Sequence, residues 1–174
     1  MRVGLIAGSG QFPIIFSKEA KSKGFAVYAI AHNNETDPAL KDYVDVIEWI
    51  HIGQINRIIK FFKKYHIEQA VLIGAITKTR MFSDVRPDTK AISIIARMRH
   101  THDDGLLRGF VRALEKAGIK IKESTFLLPD LLARKGCWTR RKPNRTEKAD
   151  IEFGWKLAKE IGRLDIGQCV VVGG

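Results

Sequence analysis

Apolar and polar positions follow two rhythms over the first 75 residues. Four short apolar runs, Arg2 to Ala7, Ala26 to Ala31, Val44 to Trp49 and Gln69 to Ile73, are rich in Val, Ile and Ala and nearly free of charge, as strands covered on both faces are. Between them apolar residues recur at helical spacing. Phe12, Ile15, Phe16 and Ala20 form one such stripe and Ile55, Ile58, Ile59 and Phe62 another, with Lys18, Lys21, Lys60, Lys63 and Lys64 left for water. Gly24 closes the first helix and His66 the second. Alternating strand and helix predict an α/β fold, a doubly wound, Rossmann-like parallel sheet flanked by helices.

Beyond Gly74 the pattern turns to loop and helix. Pro87 suits the first turn of a helix running to about Arg99, and Asp103 or Asp104 can cap another from Gly105 to Ala117. The run Ile119 to Lys122 reads as a short strand, followed by a small element around Leu127, Leu128 and Leu131. Arg134 to Lys148 is dense in Lys and Arg against a single Glu and reads as a solvated loop. Thr146 opens the last helix, which ends near Gly162. From Asp165 the chain reads as a turn and then a wholly apolar strand through Val172, expected to be the first strand of a second domain cut short. The organisation expected is an N-terminal Rossmann-like domain over 1–133, a basic linker over 134–149, and the start of a truncated C-terminal domain over 150–174.

Length and composition narrow the class. A chain of 174 residues, 45% apolar, can bury one substantial core. No apolar run approaches the roughly 20 residues that cross a bilayer, and the N-terminus lacks a signal peptide's apolar region and cleavage site, so a cytoplasmic address is expected. Cys137 and Cys169 belong to no metal or disulfide spacing and are expected to be small packing residues. A net charge of +11 favours an anionic partner, which can be a nucleotide, a nucleic acid or an anionic membrane. Aromatics are few, and no basic-aromatic ladder of the kind that stacks single-stranded bases is present, so nucleic acid falls behind a small phosphorylated ligand.

Four constellations can carry chemistry. Gly8-Ser9-Gly10, between a strand and a helix, is either an anion cradle or a tight strand-to-helix turn. The dinucleotide fingerprint is incomplete, because Pro13 stands where its third glycine would be and no acidic residue follows at the ribose-binding distance; a nicotinamide cofactor is disfavoured. Lys78 and Arg80 follow the fourth strand at its carboxyl end, where open α/β sheets bind ligands, and serve either there or as ordinary surface cations. In His100-Thr101-His102-Asp103-Asp104 the adjacent carboxylates suit Mg²⁺ or a helix cap, while the histidines read as surface residues. The cationic loop around Trp138, Thr139, Arg140, Arg141 and Lys142 is able to hold a diphosphate or touch lipid headgroups, or is simply solvated.

Read in order, LIAGSGQFPIIF, the GxxxK segment Gly74 to Lys78, HDDGLLR, LLPDLLA, WTRRKP and EKADIEFGWKLAKEIGRLDIGQCVVV resemble the UDP-2,3-diacylglucosamine diphosphatases of lipid A biosynthesis in Gram-negative organisms, in their metal-dependent two-domain form. The resemblance spans essentially the whole chain. It implies a Rossmann-like N-terminal domain and a C-terminal α/β domain enclosing a lipid substrate. The implied reaction is hydrolysis of the pyrophosphate of UDP-2,3-diacylglucosamine to 2,3-diacylglucosamine 1-phosphate (lipid X) and UMP, with Mg²⁺ or Mn²⁺. By the same resemblance, substrate contacts fall on Gly8, Ser9, Gly10, Lys78, Asp104, Arg108, Thr139, Arg140 and Gln168, and metal contacts on Asp103 and Asp104. Asp165 and Gln168 fall at the hinge into the second domain.

The family's catalytic acidic residue is expected beyond residue 174, so the chain is expected to be inactive alone. Thr79 stands where the family tends to have a proline after its loop cation. An anionic inner-membrane surface is the implied peripheral partner, nucleic acid is not a partner, and a homodimer stays open. The alternative is a non-catalytic nucleotide or sugar-phosphate binding module.

Overall fold

The computed structural model describes residues 1–77, 85–96, 103–164 and 166–173, the side chains of Asp103 and Asp104 excepted. The chain divides into two compact units, Met1–Leu132 and Ala133–Gly174.

The first unit is an α/β layer. Strands β1 (Arg2–Ala7), β2 (Ala26–His32), β3 (Val46–Ile50), β4 (Gln69–Ile73) and β5 (Lys120–Lys122) form a five-stranded sheet in the order β3-β2-β1-β4-β5, every neighbouring pair parallel. Helices α1 (Phe12–Ser22), α2 (Ile55–Lys64), α3 (Thr89–Ala96) and α4 (Asp103–Lys116) connect the strands, and a 3₁₀ helix (Pro38–Tyr43) fills the β2–β3 connection.

Alternation along β1 shows how the sheet makes two cores. Val3, Leu5 and Ala7 face a cluster completed by Ile14, Phe16 and Ala20 of α1, with Leu40 of the 3₁₀ helix and Leu127 and Leu128. Ile6 faces the opposite cluster, with Ile55, Ile58, Ile59 and Phe62 of α2, Ala91 of α3 and Leu114 of α4. Phe16 and Phe62 have no exposed surface. Each contributes about 2–3 kcal/mol of transfer free energy.

β1 and β4 have the bounds that their apolar runs predict, and Gly24 and His66 close α1 and α2 in left-handed conformations (φ 76 and 54). Several expectations are corrected. β3 begins at Val46 and, as an edge strand, is only half-covered over most of its length. Pro87 lies ahead of α3, because Asp88 takes the capping role, its Oδ1 accepting from the N–H of Lys90 and Ala91 at 3.0 Å each. Its Oδ2 also accepts from the Asn56 N–H at 2.5 Å, so one carboxylate serves the starts of both α2 and α3. Asp103 and Asp104 lie inside the first turn of α4 rather than before it.

The second unit is built on α5 (Arg145–Arg163). Asn144 caps it through a complete capping box with Glu147. The strand expected at the end of the chain is absent among the described residues, since 169–173 carries no strand pairing. A parallel strand is held by a neighbour's ladder, and the described part of this unit offers no strand to supply one. Val172 instead lies against Gly154 of α5. Cys137 and Cys169 are exposed, not packed, because no described residue of this unit is buried and those residues form no core for them to join.

Candidate functional site in the first unit

The strand order reverses between β1 and β4, and open sheets of this kind hold ligands outside the carboxyl ends of the strands at that reversal. Here the β1–α1 turn and the segment leaving β4 are bonded to each other. The Gly8 N–H donates to Ile73 O at 2.8 Å, and the Ser9 N–H and hydroxyl donate to Ala75 O at 2.8 and 3.0 Å. The Ala75 N–H returns a bond to Ser9 O at 3.3 Å. The approach demands glycine. A Cβ on Gly8 would sit 2.3 Å from Ala75 O, and one on Gly74, whose φ is +98, would sit 2.6 Å from Ser9 O.

The amides of Gly8 and Ser9 are therefore spent inside the fold. Those of Gly10, Gln11 and Phe12, at the start of α1, take no acceptor among the described residues. They form the end of the helix that carries partial positive charge, and Gln11 offers no side-chain cap in competition with an anion. Whatever anion capacity this turn has lies one residue further along than the Gly-Ser pair suggests.

The turn after β2 forms the next wall. His32 is 5% exposed, with Nδ1 3.0 Å from Ala7 O, so the proton is on Nδ1. The buried Thr36 hydroxyl donates to the same carbonyl at 2.7 Å and accepts from the His32 N–H at 2.9 Å. Burial holds the His32 pKa below its ordinary 6.5, opposed by the smaller pulls of the Ala7 bond and the Glu35 carboxylate. Glu35 is also buried, and its Oε1 accepts from the Thr77 N–H at 2.6 Å and hydroxyl at 2.7 Å. That contact ties the exit of β2 to the exit of β4. Asn34, at the tip of the turn, adopts φ 61, a conformation asparagine tolerates better than most residues.

These connections frame an open cleft of about 960 Å³ at the carboxyl edge of the sheet. Ser9 and Thr77 line it from β1 and β4, Asn33 to Pro38 from β2, and Lys41, Trp49 and His51 from the 3₁₀ helix and β3. The Asp37 carboxylate is partly committed, accepting the Ala39 N–H at 2.9 Å to cap the 3₁₀ helix. Sequence reasoning missed the β2 and β3 residues. The available signal was the polar run His32 to Asp37 directly after an apolar strand, which the topology rule places beside the Gly8 turn.

The other sequence candidates are not among the residues that line this cleft. Lys78, Arg80, His100, His102 and Asp165 lie outside the described residues, as do the Asp103 and Asp104 carboxylates. Arg108 is an exposed residue of α4 and is engaged by other groups. Thr139, Arg140 and Gln168 belong to the second unit, all exposed. There the cationic loop is an ordered turn. The Trp138 indole N–H donates to Arg134 O at 2.9 Å, the Thr139 hydroxyl donates to Arg141 O at 2.7 Å, and Arg141 pairs with Glu147. Bonds to Thr139 lower the Cys137 thiol pKa from its ordinary 9.0. Among the described residues no group of three or more His, Cys, Asp or Glu is placed to hold a metal ion, and no helix is long and apolar enough to cross a membrane.

The sequence matches two family models, the LpxI N-terminal domain over residues 2–131 and the LpxI C-terminal domain over residues 134–174. It is 28% identical over 174 residues to the UDP-2,3-diacylglucosamine pyrophosphatase LpxI of Caulobacter vibrioides, and this alignment covers 98% of the chain and 61% of that protein. The chain thus spans 61% of the length of this curated relative. Among solved structures, a Stenotrophomonas maltophila UDP-glucose-4-epimerase with bound NAD and formylated UDP-arabinopyranose aligns at TM-score 0.48 and 12% identity, covering 92% of this chain and 49% of that one. A Rhizobium etli pyruvate carboxylase aligns at TM-score 0.41 and 14% identity, covering 73% and 12%. A family match that takes in 2–131, the whole of the α/β layer with its cleft, is decisive: the chain belongs to the LpxI family.

Proposed function

We propose that the cleft at the carboxyl edge of the sheet holds the nucleotide-sugar head of UDP-2,3-diacylglucosamine, and that the reaction served is hydrolysis of its pyrophosphate to lipid X and UMP in lipid A biosynthesis. Membership of the LpxI family carries this reading. The cleft supports it by position and size, since small-molecule sites run from about 300 to 1,000 Å³ and favour this edge of α/β sheets.

In the reaction, water oxygen forms a bond to one phosphorus, the anhydride P–O bond breaks, and the departing phosphate carries the electron pair away as UMP or lipid X. This chain's part is binding and orientation. The free amides at the start of α1 and the Lys41 ammonium supply positive charge to the diphosphate. The Glu35–Thr77 tie holds the walls in register, so the bound head is positioned without reorganisation. Mg²⁺ or Mn²⁺, when bound, would neutralise charge on the phosphates. The described residues offer no group of three or more His, Cys, Asp or Glu to hold it. The acyl chains point to an anionic membrane as the surface from which substrate is drawn, with the basic turn from Arg134 to Lys142 as the complementary charge.

Calorimetry with UDP and UDP-2,3-diacylglucosamine, alongside an assay for UMP release with and without EDTA, tests this reading. Saturable binding of both ligands is expected, with UMP release, abolished by EDTA, expected only when these residues are joined to the remaining length that the curated relative has. Binding without release even then would leave a non-catalytic nucleotide module. Failure of either ligand to bind would overturn the assignment of the cleft.

A further inference from the structure

Trp49 stands apart from the packing of its own strand. Along β3, Val46 and Ile50 join the core on the α2 side and Ile47 joins the core on the α1 side, yet Trp49, on the same face as Ile47, belongs to neither cluster among the described residues. It is half-buried, it lines the cleft, and it is the first unit's one tryptophan. Sharing the lining of that cleft are groups that hydrogen-bond rather than pack: Asn33, Asn34, Asp37 and His51. An indole held out of the core beside amides and a carboxylate matches a planar, hydrogen-bonding ligand, because a ring face stacks and polar neighbours read the edge.

The sheet supplies the spacing. Trp49 is on β3 and the free amides of Gly10, Gln11 and Phe12 follow β1, with β2 between them. The register pairs Trp49 with Ala31 and Ala31 with Ala7, so two inter-strand steps put Trp49 about 10 Å from the end of β1, a spacing on the scale of a nucleotide. The turn Asn33 to Asp37, leaving the intervening strand, then lies where a ribose would be. We infer that Trp49 is the stacking wall for the nucleobase of the bound nucleotide, the ribose lying over the Asn33–Asp37 turn and the phosphates against the start of α1. The inference rests on the nucleotide-sugar reading above and assigns a residue to its base.

The two other tryptophans, Trp138 and Trp155, are exposed and lie in the second unit, so the double variant Trp138→Phe, Trp155→Phe leaves Trp49 as the single reporter. Titration of this variant with UMP is expected to quench Trp49 fluorescence saturably. In calorimetry on the otherwise unaltered chain, Trp49→Ala is expected to weaken UMP on the order of tenfold, the scale of one lost base–aromatic stack, while ribose 5-phosphate binds as before. Trp49→Phe, which keeps a ring, is expected to restore most of the affinity. If UMP binds the unaltered chain with no quenching of Trp49 and Trp49→Ala costs nothing, the stacking role is wrong while the cleft assignment stands. If Trp49→Ala weakens UMP and ribose 5-phosphate equally, Trp49 shapes the cleft rather than stacking, which also overturns the inference. If neither UMP nor UDP binds the unaltered chain, the nucleotide reading fails and takes this inference with it.

Discussion

Gly8 and Gly74 meet where β1 and β4 part, and their lack of side chains is a packing requirement before it is anything else. Alanine at Gly8 puts a methyl 2.3 Å from a backbone oxygen, and alanine at Gly74 adds a left-handed φ of +98 to a 2.6 Å clash. Both substitutions should lower stability by about 2 kcal/mol or more, since backbone cannot step aside as a side-chain tip can. Gly10 has φ +92 but open space around it, so Gly10→Ala should cost only the strain, about 1–2 kcal/mol. Thermal unfolding of the three variants checks the ranking; equal and negligible losses would mean that the glycines serve ligand approach alone. His32 gives a second residue-level prediction. Its folded pKa lies below the ordinary 6.5, so between the two values the unfolded chain binds more protons and stability rises with pH. The stabilisation is complete above 6.5 and is lost as pH falls beneath it, with a slope of at most about 1.4 kcal/mol per pH unit for one group. Urea unfolding between pH 7 and 5 should show that slope, and His32→Gln should flatten it.

At the level of elements, α5 depends on its cap more than the buried helices do, because none of its residues is buried. Asn144 Oδ1 accepts the Glu147 N–H at 2.9 Å, and a Glu147 carboxylate oxygen accepts the Asn144 N–H at 2.9 Å. Asn144→Ala should cost about 1 kcal/mol of helix stability, read as lost ellipticity at 222 nm. The bond from the Asn144 N–H, and then Arg141, hold the Glu147 carboxyl below its ordinary 4.5, so its support for the cap is present above that value and disappears as acid protonates it. This helix also marks what the sequence could tell. The polar run from Thr146 announced its start within a residue, and β1 and β4 were legible because an uninterrupted apolar run bounded by glycine or charge has few other uses. The 3₁₀ helix at Pro38–Tyr43 was not, since a short polar segment around one buried Leu40 has no period to read. Cys169 to Val172 carries no strand pairing among the described residues, since apolarity says only that a segment seeks contact and a strand takes its ladder from a neighbour. Trp49 escaped notice for a related reason: a tryptophan in an apolar run looks like core until the sheet shows that it stands at the carboxyl end of an edge strand, where the cleft opens.

Across the whole molecule, burial is divided very unevenly. Every buried described residue lies in Met1–Leu132, where two apolar clusters sandwich the sheet, whereas the described residues of Ala133–Gly174 are all at least partly exposed. Cooperative resistance to opening comes from such buried contacts, so the two units should differ in how readily a protease finds extended backbone. The second unit also carries abundant tryptic sites in Arg134, Lys135, Arg140, Arg141 and Arg145, in a turn held by a few exposed hydrogen bonds. Limited trypsin digestion should therefore cut first between Arg134 and Lys148 and leave a fragment ending near Leu132, identified by intact mass. A chain made as residues 1–132 should unfold in a single cooperative transition, since it contains both halves of the core and all five strands with their connecting helices. First cleavage within the helices or strands of 1–132, or a broad, non-cooperative melt of that shorter chain, would show that the α/β layer depends on the remainder for its stability. A sharp melt would make it a self-sufficient platform on which the Trp49 cleft can be studied apart from the basic turn.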